Sequence, residues 1–249
     1  MKNEIQIVIL AAGQGTRMNN KDLPKVLIPL KGKSIIKYVL AAIKESKLCS
    51  RPTIIVGYKA EQVKNILGTD YDYVFQAEQL GTGHAVGCAK ESLTRKVKDI
   101  MVLSGDMPFV SSKMINNLAR AHFAKNNVLT MATAVTPDFV DWRQSFYGFG
   151  RIIRDRDNKV IAIMEKKDST PAQLENKEVN PAYYCFKTDW LWSNLDKLKN
   201  NNAQREYYLT DLVGLAFKQG QDITTVEIKP KEALGINTAE QLELVGNLL

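Results

Sequence analysis

The sequence predicts an α/β fold, a mixed but mostly parallel sheet with helices on both faces. Three observations lead there. Short apolar runs rich in β-branched residues, beginning with Ile5-Gln-Ile-Val-Ile-Leu10, read as strands buried on both faces. Amphipathic helical patterns alternate with these runs through the first half of the chain, the rhythm of a parallel sheet covered on both sides. The first run also empties into a glycine-bearing turn, Leu10-Ala-Ala12-Gly13-Gln-Gly15-Thr-Arg17, at the strand end where such folds hold ligands.

Each element follows in order. Ser34 is placed to cap a helix whose apolar side is Ile35, Ile36, Val39, Leu40 and Ile43. A strand over 53–56, a helix over 60–67 and a strand over 71–75 come next. The glycine loop Leu80-Gly81-Thr82-Gly83 leads into a helix over 85–93, and the strand over 100–103 ends at Gly105-Asp106. Beyond this the rhythm loosens: strands over 128–135, 150–153, 160–164 and 179–186, some alternating and so half-exposed. Helices over 189–198 and 208–219, a strand over 223–228 and a terminal helix from Thr238 complete the reading. One domain, 1–249, is expected.

At 45% apolar and 24% charged residues, the 249-residue chain has the composition of a globular protein with a full core. No apolar run approaches the ~20 residues of a membrane helix, and no targeting peptide is read. Cys49, Cys88 and Cys185 are widely spaced without a Cys-x-x-Cys pair, which fits reduced, buried thiols in a cytoplasmic protein. A net charge of +7 suits polyanionic partners. Basic clusters such as Arg151-Ile-Ile-Arg154-Asp-Arg156 are interleaved with acids and read as solvated faces, so nucleic acid is not expected. The two histidines, His84 and His122, lack partners at zinc spacing, which argues against a His-ligated metal and a His-based nucleophile.

The candidate chemistry lies at the strand ends. Gly13 and Gly15 allow a sharp turn that brings backbone N–H groups to an anion, and Arg17 and Lys25, the latter after Pro24, supply positive charge. Two better-known glycine loops do not fit. A dinucleotide fingerprint needs glycine where Met18 stands, and a P-loop needs Gly-Lys before Ser or Thr. Gln79, with Gly81 and Thr82, offers an amide and exposed backbone to a nucleobase edge. Asp106, in Ser104-Gly-Asp-Met-Pro108, reads as a Mg²⁺ ligand or as a turn aspartate. Glu165 and Asn180 either bond sugar hydroxyls or simply end strands.

Taken together these motifs resemble the sugar-1-phosphate nucleotidyltransferase family. The similarity is greatest to the uridylyltransferase domains of bacterial N-acetylglucosamine-1-phosphate uridyltransferases. It runs from about Ile5 to Leu242 through the glycine turn, Pro24-Lys25, Glu78-Gln79-Leu-Gly-Thr-Gly, Gly105-Asp106-Met-Pro, Tyr147-Gly-Phe-Gly150-Arg, Glu165-Lys-Lys-Asp, Glu178-Val-Asn180, Glu206-Tyr-Tyr-Leu-Thr-Asp211 and Gly235-Ile-Asn237. The resemblance implies a Rossmann-like fold of the nucleotide-diphospho-sugar transferase type. Its nucleotide-binding half would be 1–110 and its sugar-binding half 111–249. It implies UTP and a sugar 1-phosphate as substrates, with Ala12, Gly13, Gly15, Gln79, Gly81 and Thr82 around the nucleotide. Gly150, Glu165 and Asn180 would contact the amino sugar, with Thr82 reaching it too. Arg17 and Lys25 would hold phosphates, and Asp106 and Asn237 would ligate Mg²⁺. From position alone, Asn237 could equally cap the last helix.

Three departures bear on the substrate. Asn180-Pro-Ala182 stands where the family usually has Asn-Thr-Gly, Thr238-Ala239 follows Asn237 where an arginine is common, and the segment 138–146 is longer than its counterpart. Phe139, Trp142 and Phe146 in that segment read as a satellite hydrophobic cluster rather than a lid. No hexapeptide periodicity follows, so the acetyl transfer of the bifunctional family members is not expected here. Readings left open are the same chemistry on another hexose 1-phosphate with UTP or another nucleotide, and a nucleotide-binding regulatory protein without turnover.

Overall fold

The computed structural model describes residues 5–18, 20, 22–93 and 97–249. Its first strand, β1 (Ile5–Ala11), divides the molecule by simple alternation. Ile5, Ile7, Ile9 and Ala11 point into a core on one face, while Val8 and Ala12 point into a second core on the other.

The strands after β1 are β2 (Pro29–Leu30), β3 (Lys33–Ser34), β4 (Thr53–Val56), β5 (Asp72–Phe75), β6 (Asp99–Ser104) and β7 (Leu129–Val135). Further along are β8 (Arg151–Arg154), β9 (Val160–Met164), β10 (Glu178–Val179), β11 (Tyr184–Lys187) and β12 (Ile223–Ile228). The main sheet runs β5-β4-β1-β6-β11-β7-β10-β8-β9, with β12 added beside β7, and β2 pairs with β3 as a separate hairpin. Pairs among β5, β4, β1 and β6 are parallel, as is β7 with β12; β11, β10, β8 and β9 enter antiparallel. The expected mixed, mostly parallel sheet is therefore present, with its parallel half in the first part of the chain.

Helices α1 (Ile35–Ser46) and α2 (Ala60–Leu67) fall where the sequence places them. Ser34 precedes α1 but its hydroxyl makes no capping bond, contrary to the capping role expected of it. The helix expected over 85–93 is two pieces, α3 (Thr82–Gly87) and α4 (Lys90–Leu93). The longest helix, α5 (Ser112–Lys125), goes unassigned in the sequence because Lys, Asn and Arg interrupt a narrow apolar stripe of Met114, Ile115, Leu118 and Ala119. Ser111 caps it by accepting from the Met114 N–H, and α5 then packs on α1. The short α6 (Pro171–Leu174), then α7 (Thr188–Leu195), α8 (Asp211–Lys218) and α9 (Ala239–Leu248), complete the helices; α7 and α8 cover the second face. No helix among the described residues is long and apolar enough to cross a membrane.

Two further expectations are corrected. The strand expected over 179–186 is broken, because Asn180–Tyr183 leaves the ladder between β10 and β11. Phe139, Trp142 and Phe146 are not a satellite cluster: Phe146 is fully buried in the main core, and the other two pack against it. Cys49 and Cys185 are buried as expected, whereas Cys88 is only half-buried; burial pushes all three thiols up from their ordinary value.

Candidate active site

The site forms where β1 and β6 end side by side. The Gly105 N–H donates to the Leu10 carbonyl at 2.9 Å, which brings the glycine turn and the Asp106 turn together at the same end of the sheet. The Ile236 N–H in turn donates to the Asp106 carbonyl at 3.0 Å, which draws in the segment carrying Asn237.

Lys25 completes the arrangement. Its ammonium donates to the Asp106 carboxylate and, at 2.9 Å, to Asn237 Oδ1. Gly15 makes this approach feasible: it sits at φ +69°, and a Cβ there would lie 2.6 Å from Lys25 Cβ. Both ionic side chains are largely shielded, with 14% of Lys25 and 16% of Asp106 exposed. Asn237 does not cap the last helix. That role belongs to Thr238, whose hydroxyl accepts from the Gln241 N–H, leaving the Asn237 amide oxygen free to face the cation.

Two cavities open near this end of the sheet. One, of about 250 Å³, is lined by Ala12, Gly13, Lys25, Gln76, Gln79, Gly81, Thr82, Asp106 and Glu206. Gly81 is held at φ +108°, and a Cβ would meet the Tyr207 carbonyl at 2.7 Å, so only glycine lets the 206–207 backbone lie against the loop. That packing is fixed by hydrogen bonds from Gly83 N–H to the Tyr207 carbonyl and from Tyr207 N–H to the Leu80 carbonyl, each 2.8 Å. The Thr82 hydroxyl accepts from the Leu209 N–H at 3.0 Å.

The second cavity, of about 180 Å³, is lined by Thr82, Met107, Phe149, Gly150, Glu165, Asn180, Ala182, Tyr184 and Thr210. Leu10 and Thr82 line both, so the two open on a common wall. The break between β10 and β11 shapes this cavity. Asn180 N–H donates to the Gly150 carbonyl at 2.9 Å, while its own Oδ1 accepts from the Ala182 N–H at 3.0 Å. Ala182 keeps φ at +59°, so the left-handed turn that suits glycine is formed here by alanine, braced by that side-chain bond.

Burial holds the Glu165 carboxyl above the usual carboxylate range, and the carboxylates of Asp211, Asp168 and Glu206 add to the effect. A raised folded-state value favours the protonated form in the fold. The contribution to stability is thus present at low pH and is lost as pH climbs from about 4.3, the ordinary glutamate value, through the raised one. Glu165→Gln is expected to unfold at a higher temperature than the wild type near pH 7 and to lose that advantage below about pH 4. Thermal unfolding of both proteins across this range checks it; a constant difference would remove the assigned burial effect. Tyr208, buried near the same acids, is pushed up to about 12.

The structure gathers Lys25, Asp106 and Asn237 into one contact set, and Ala12, Gly13, Gln79, Gly81 and Thr82 into one cleft. Thr82, Gly150, Glu165 and Asn180 share the other cavity. Arg17 stands apart: it is exposed in the 3-10 turn Thr16–Met18 and makes no hydrogen bond or ion pair among the described residues. Residues not singled out from the sequence also line the cavities. Gln76 is buried and donates to the Gly81 carbonyl at 3.3 Å. The Tyr184 and Thr210 hydroxyls are buried beside the Asn180 and Glu165 side chains respectively, without a well-formed hydrogen bond to them, which leaves polar capacity for a ligand. Thr210 carries a signal, since it falls in the Glu206–Asp211 motif; Tyr184 carries none beyond its place after Asn180.

Among the described residues no three His, Cys, Asp or Glu side chains converge as a self-sufficient metal cage. The Lys25 ammonium nevertheless marks a place where one carboxylate and one amide oxygen face a cation. Such a sparse oxygen set fits Mg²⁺, which takes few protein ligands and completes its shell with water and substrate phosphates.

Residues 7–208 match the family model described as the MobA-like NTP transferase domain. The chain belongs to this family. Curated relatives named bifunctional protein GlmU include one from Clostridium novyi, 39% identical over 94% of this chain and 50% of that protein. Another, from Desulfotalea psychrophila, is 38% identical over 98% of this chain and 70% of that protein. The chain thus spans about half the length of the first of these relatives. Among solved structures, a UDP-glucose pyrophosphorylase complexed with UDP-glucose superposes with a TM-score of 0.76 at 17% identity, covering 98% of both chains. The inositol-1-phosphate CTP transferase from T. maritima gives 0.71 at 15% identity, covering 98% of this chain and 95% of that one. At these identities the structures speak for the fold alone. The fold is that of the nucleotidyltransferases, as the resemblance implies.

Proposed function

We propose that this chain forms UDP-N-acetylglucosamine and pyrophosphate from UTP and N-acetylglucosamine 1-phosphate. The observation that carries the reading is the convergence of Lys25, Asp106 and Asn237, with Lys25 and Asp106 in the wall of a cavity that shares Leu10 and Thr82 with a second one. UTP fits the glycine-walled cleft, with the Gln79 amide toward the uracil edge. The amino sugar fits the cavity of Gly150, Glu165 and Asn180. The likeness to the GlmU relatives supports a GlmU-like activity.

In the reaction an oxygen of the sugar phosphate attacks the α-phosphorus of UTP. A new P–O bond forms, the bond from the α-phosphorus to the bridging oxygen breaks, and pyrophosphate leaves with the electron pair. The attacking oxygen is already anionic, so neither a protein nucleophile nor a general base is required. The remaining task is to orient two anions and offset their repulsion. A cation ~4 Å from a phosphate charge contributes about 4 kcal/mol at an effective dielectric near 20. Lys25 supplies one such charge, and Arg17, on the exposed turn beside the cleft, supplies another to the phosphates. Mg²⁺ held by Asp106 and Asn237 would neutralise phosphate charge and fix the triphosphate's orientation. Lys25, whose ammonium lies against those same two oxygens, would then be free to turn its charge toward the phosphates.

One observation favours a second acceptor. The Ala182 methyl stands at the wall of the sugar cavity where the family usually has glycine, which suits a different hexose 1-phosphate in the same chemistry. Pyrophosphate release measured over a panel of nucleoside triphosphates and sugar 1-phosphates decides between them. UTP with N-acetylglucosamine 1-phosphate is expected to give the highest kcat/KM. Preference for another pair overturns the substrate assignment, and absence of release from every pair overturns the catalytic reading in favour of a regulatory nucleotide-binding protein.

A further inference from the structure

Arg151 departs from what its sequence context leads one to expect. The Arg151–Arg156 cluster reads as a solvated face, yet Arg151 is 0% exposed and forms no ion pair among the described residues. Arg154, by contrast, is paired in a bidentate bridge with Glu178 at 2.7 and 2.8 Å. The Arg151 guanidinium is met by carbonyls instead. Nη1 donates to Phe149 and, at 3.4 Å, to Phe146; Nη2 donates to Tyr147 at 3.2 Å and to Leu174 at 3.4 Å; Nε donates to Leu174 at 3.4 Å. The rings of Phe139 and Tyr147 cover its faces, with centroids 5.0 and 5.5 Å from Cζ.

Burying a cation without a carboxylate is costly, and the cost persists only where the geometry returns something. Here it returns a fixed shape for 146–149. This segment lies at the end of the 3-10 stretch Asp141–Gly148, where the Phe149 N–H donates to the Phe146 carbonyl at 3.0 Å, and a planar fork of donors gathers three of its carbonyls on one point. Lysine cannot copy a planar fork, and an apolar residue would remove the donor these carbonyls share. The segment runs directly into Phe149 and Gly150, which line the acceptor cavity. Gly150 passes its position on. Its carbonyl receives the Asn180 N–H, and a Cβ built on it would lie 3.3 Å from Glu165 Oε1 and 2.8 Å from Ile163 Cγ2. A shift of the segment is therefore felt at both Asn180 and Glu165.

We propose that Arg151 is a positioning residue for the acceptor: a buried guanidinium that templates 146–149 and thereby sets where Gly150, Asn180 and Glu165 meet the sugar phosphate. It touches neither substrate. This inference rests on reading that cavity as the acceptor site. Arg151→Lys tests it, and Tyr147→Leu, which uncovers one face of the guanidinium from a ring that is itself 39% exposed, covers the case in which the first variant does not fold.

Steady-state kinetics with the preferred pair are expected to show the acceptor KM raised ~10-fold or more in Arg151→Lys and less in Tyr147→Leu. The nucleotide KM and the affinity for UTP alone should stay within ~2-fold of wild type. Amide exchange without substrates is expected to quicken over 141–150 in both variants and not in β1. Equal rises in both KM values, or an unchanged acceptor KM with Tyr147→Leu despite quickened exchange, would overturn the role of Arg151. A wild-type protein that turns over no sugar phosphate overturns the functional reading itself, and that result is obtained before any variant is made.

Discussion

Replacing Lys25 with alanine is expected to lower kcat by ~10²-fold or more, the loss typical of removing one preorganised electrostatic donor. The side chain reaches across the chain to residues 81 and 212 positions away, and holds its charge in a partly dehydrated place where a phosphate is to arrive. A second readout separates this electrostatic role from mere support. Because the ammonium stands between Asp106 and Asn237, the nucleotide-free Lys25→Ala protein is expected to bind Mn²⁺ more tightly than wild type, as titration followed by electron paramagnetic resonance would show. Unchanged kcat eliminates the catalytic role. Weaker Mn²⁺ binding would mean that lysine and metal do not compete for those oxygens.

Asp106→Ala is expected to abolish turnover across a full Mg²⁺ titration while leaving the fold in place. The fold should survive because the bonds that anchor this turn, Gly105 N–H to Leu10 and Ile236 N–H to the Asp106 carbonyl, belong to the backbone. The loss should be severe because, among the described residues, Asp106 is the only carboxylate touching the Lys25 ammonium, and the Asn237 amide alone is a weak anchor for a divalent ion. Circular dichroism and thermal unfolding establish the fold. Residual activity that still responds to Mg²⁺ would place the metal on other ligands.

How much of this was legible in the sequence depends on whether a feature is local. The strand Ile5–Ala11, the glycine turn after it and the helix Ala60–Leu67 follow from periodicity and punctuation within a few residues. Gly15 reads as a turn glycine, but the reason glycine is needed there, contact with Lys25, exists only in three dimensions. The grouping of Lys25, Asp106 and Asn237 is not derivable from spacing at all; the family resemblance supplied it, and the close of β1 and β6 on one another realises it. The break at Asn180–Tyr183 was hidden because its flanks share the apolar character of one continuous strand. Arg151 misled for a related reason. Charge in a mixed cluster is read as solvated, and nothing local announces that several backbone carbonyls will face it. Helix α5 escaped because its buried stripe is narrow, and its stability comes from packing on α1 rather than from pattern.

Two phosphorylated reactants are proposed to meet at one cationic point, Lys25, beside the wall that the two cavities share. A crystal structure with bound UDP-sugar product tests this most directly. The diphosphate should lie against the glycine turn within reach of Arg17 and Lys25, with the base toward Gln79 and the sugar between Gly150, Glu165 and Asn180. A diphosphate bound away from Lys25 and Asp106 would contradict it.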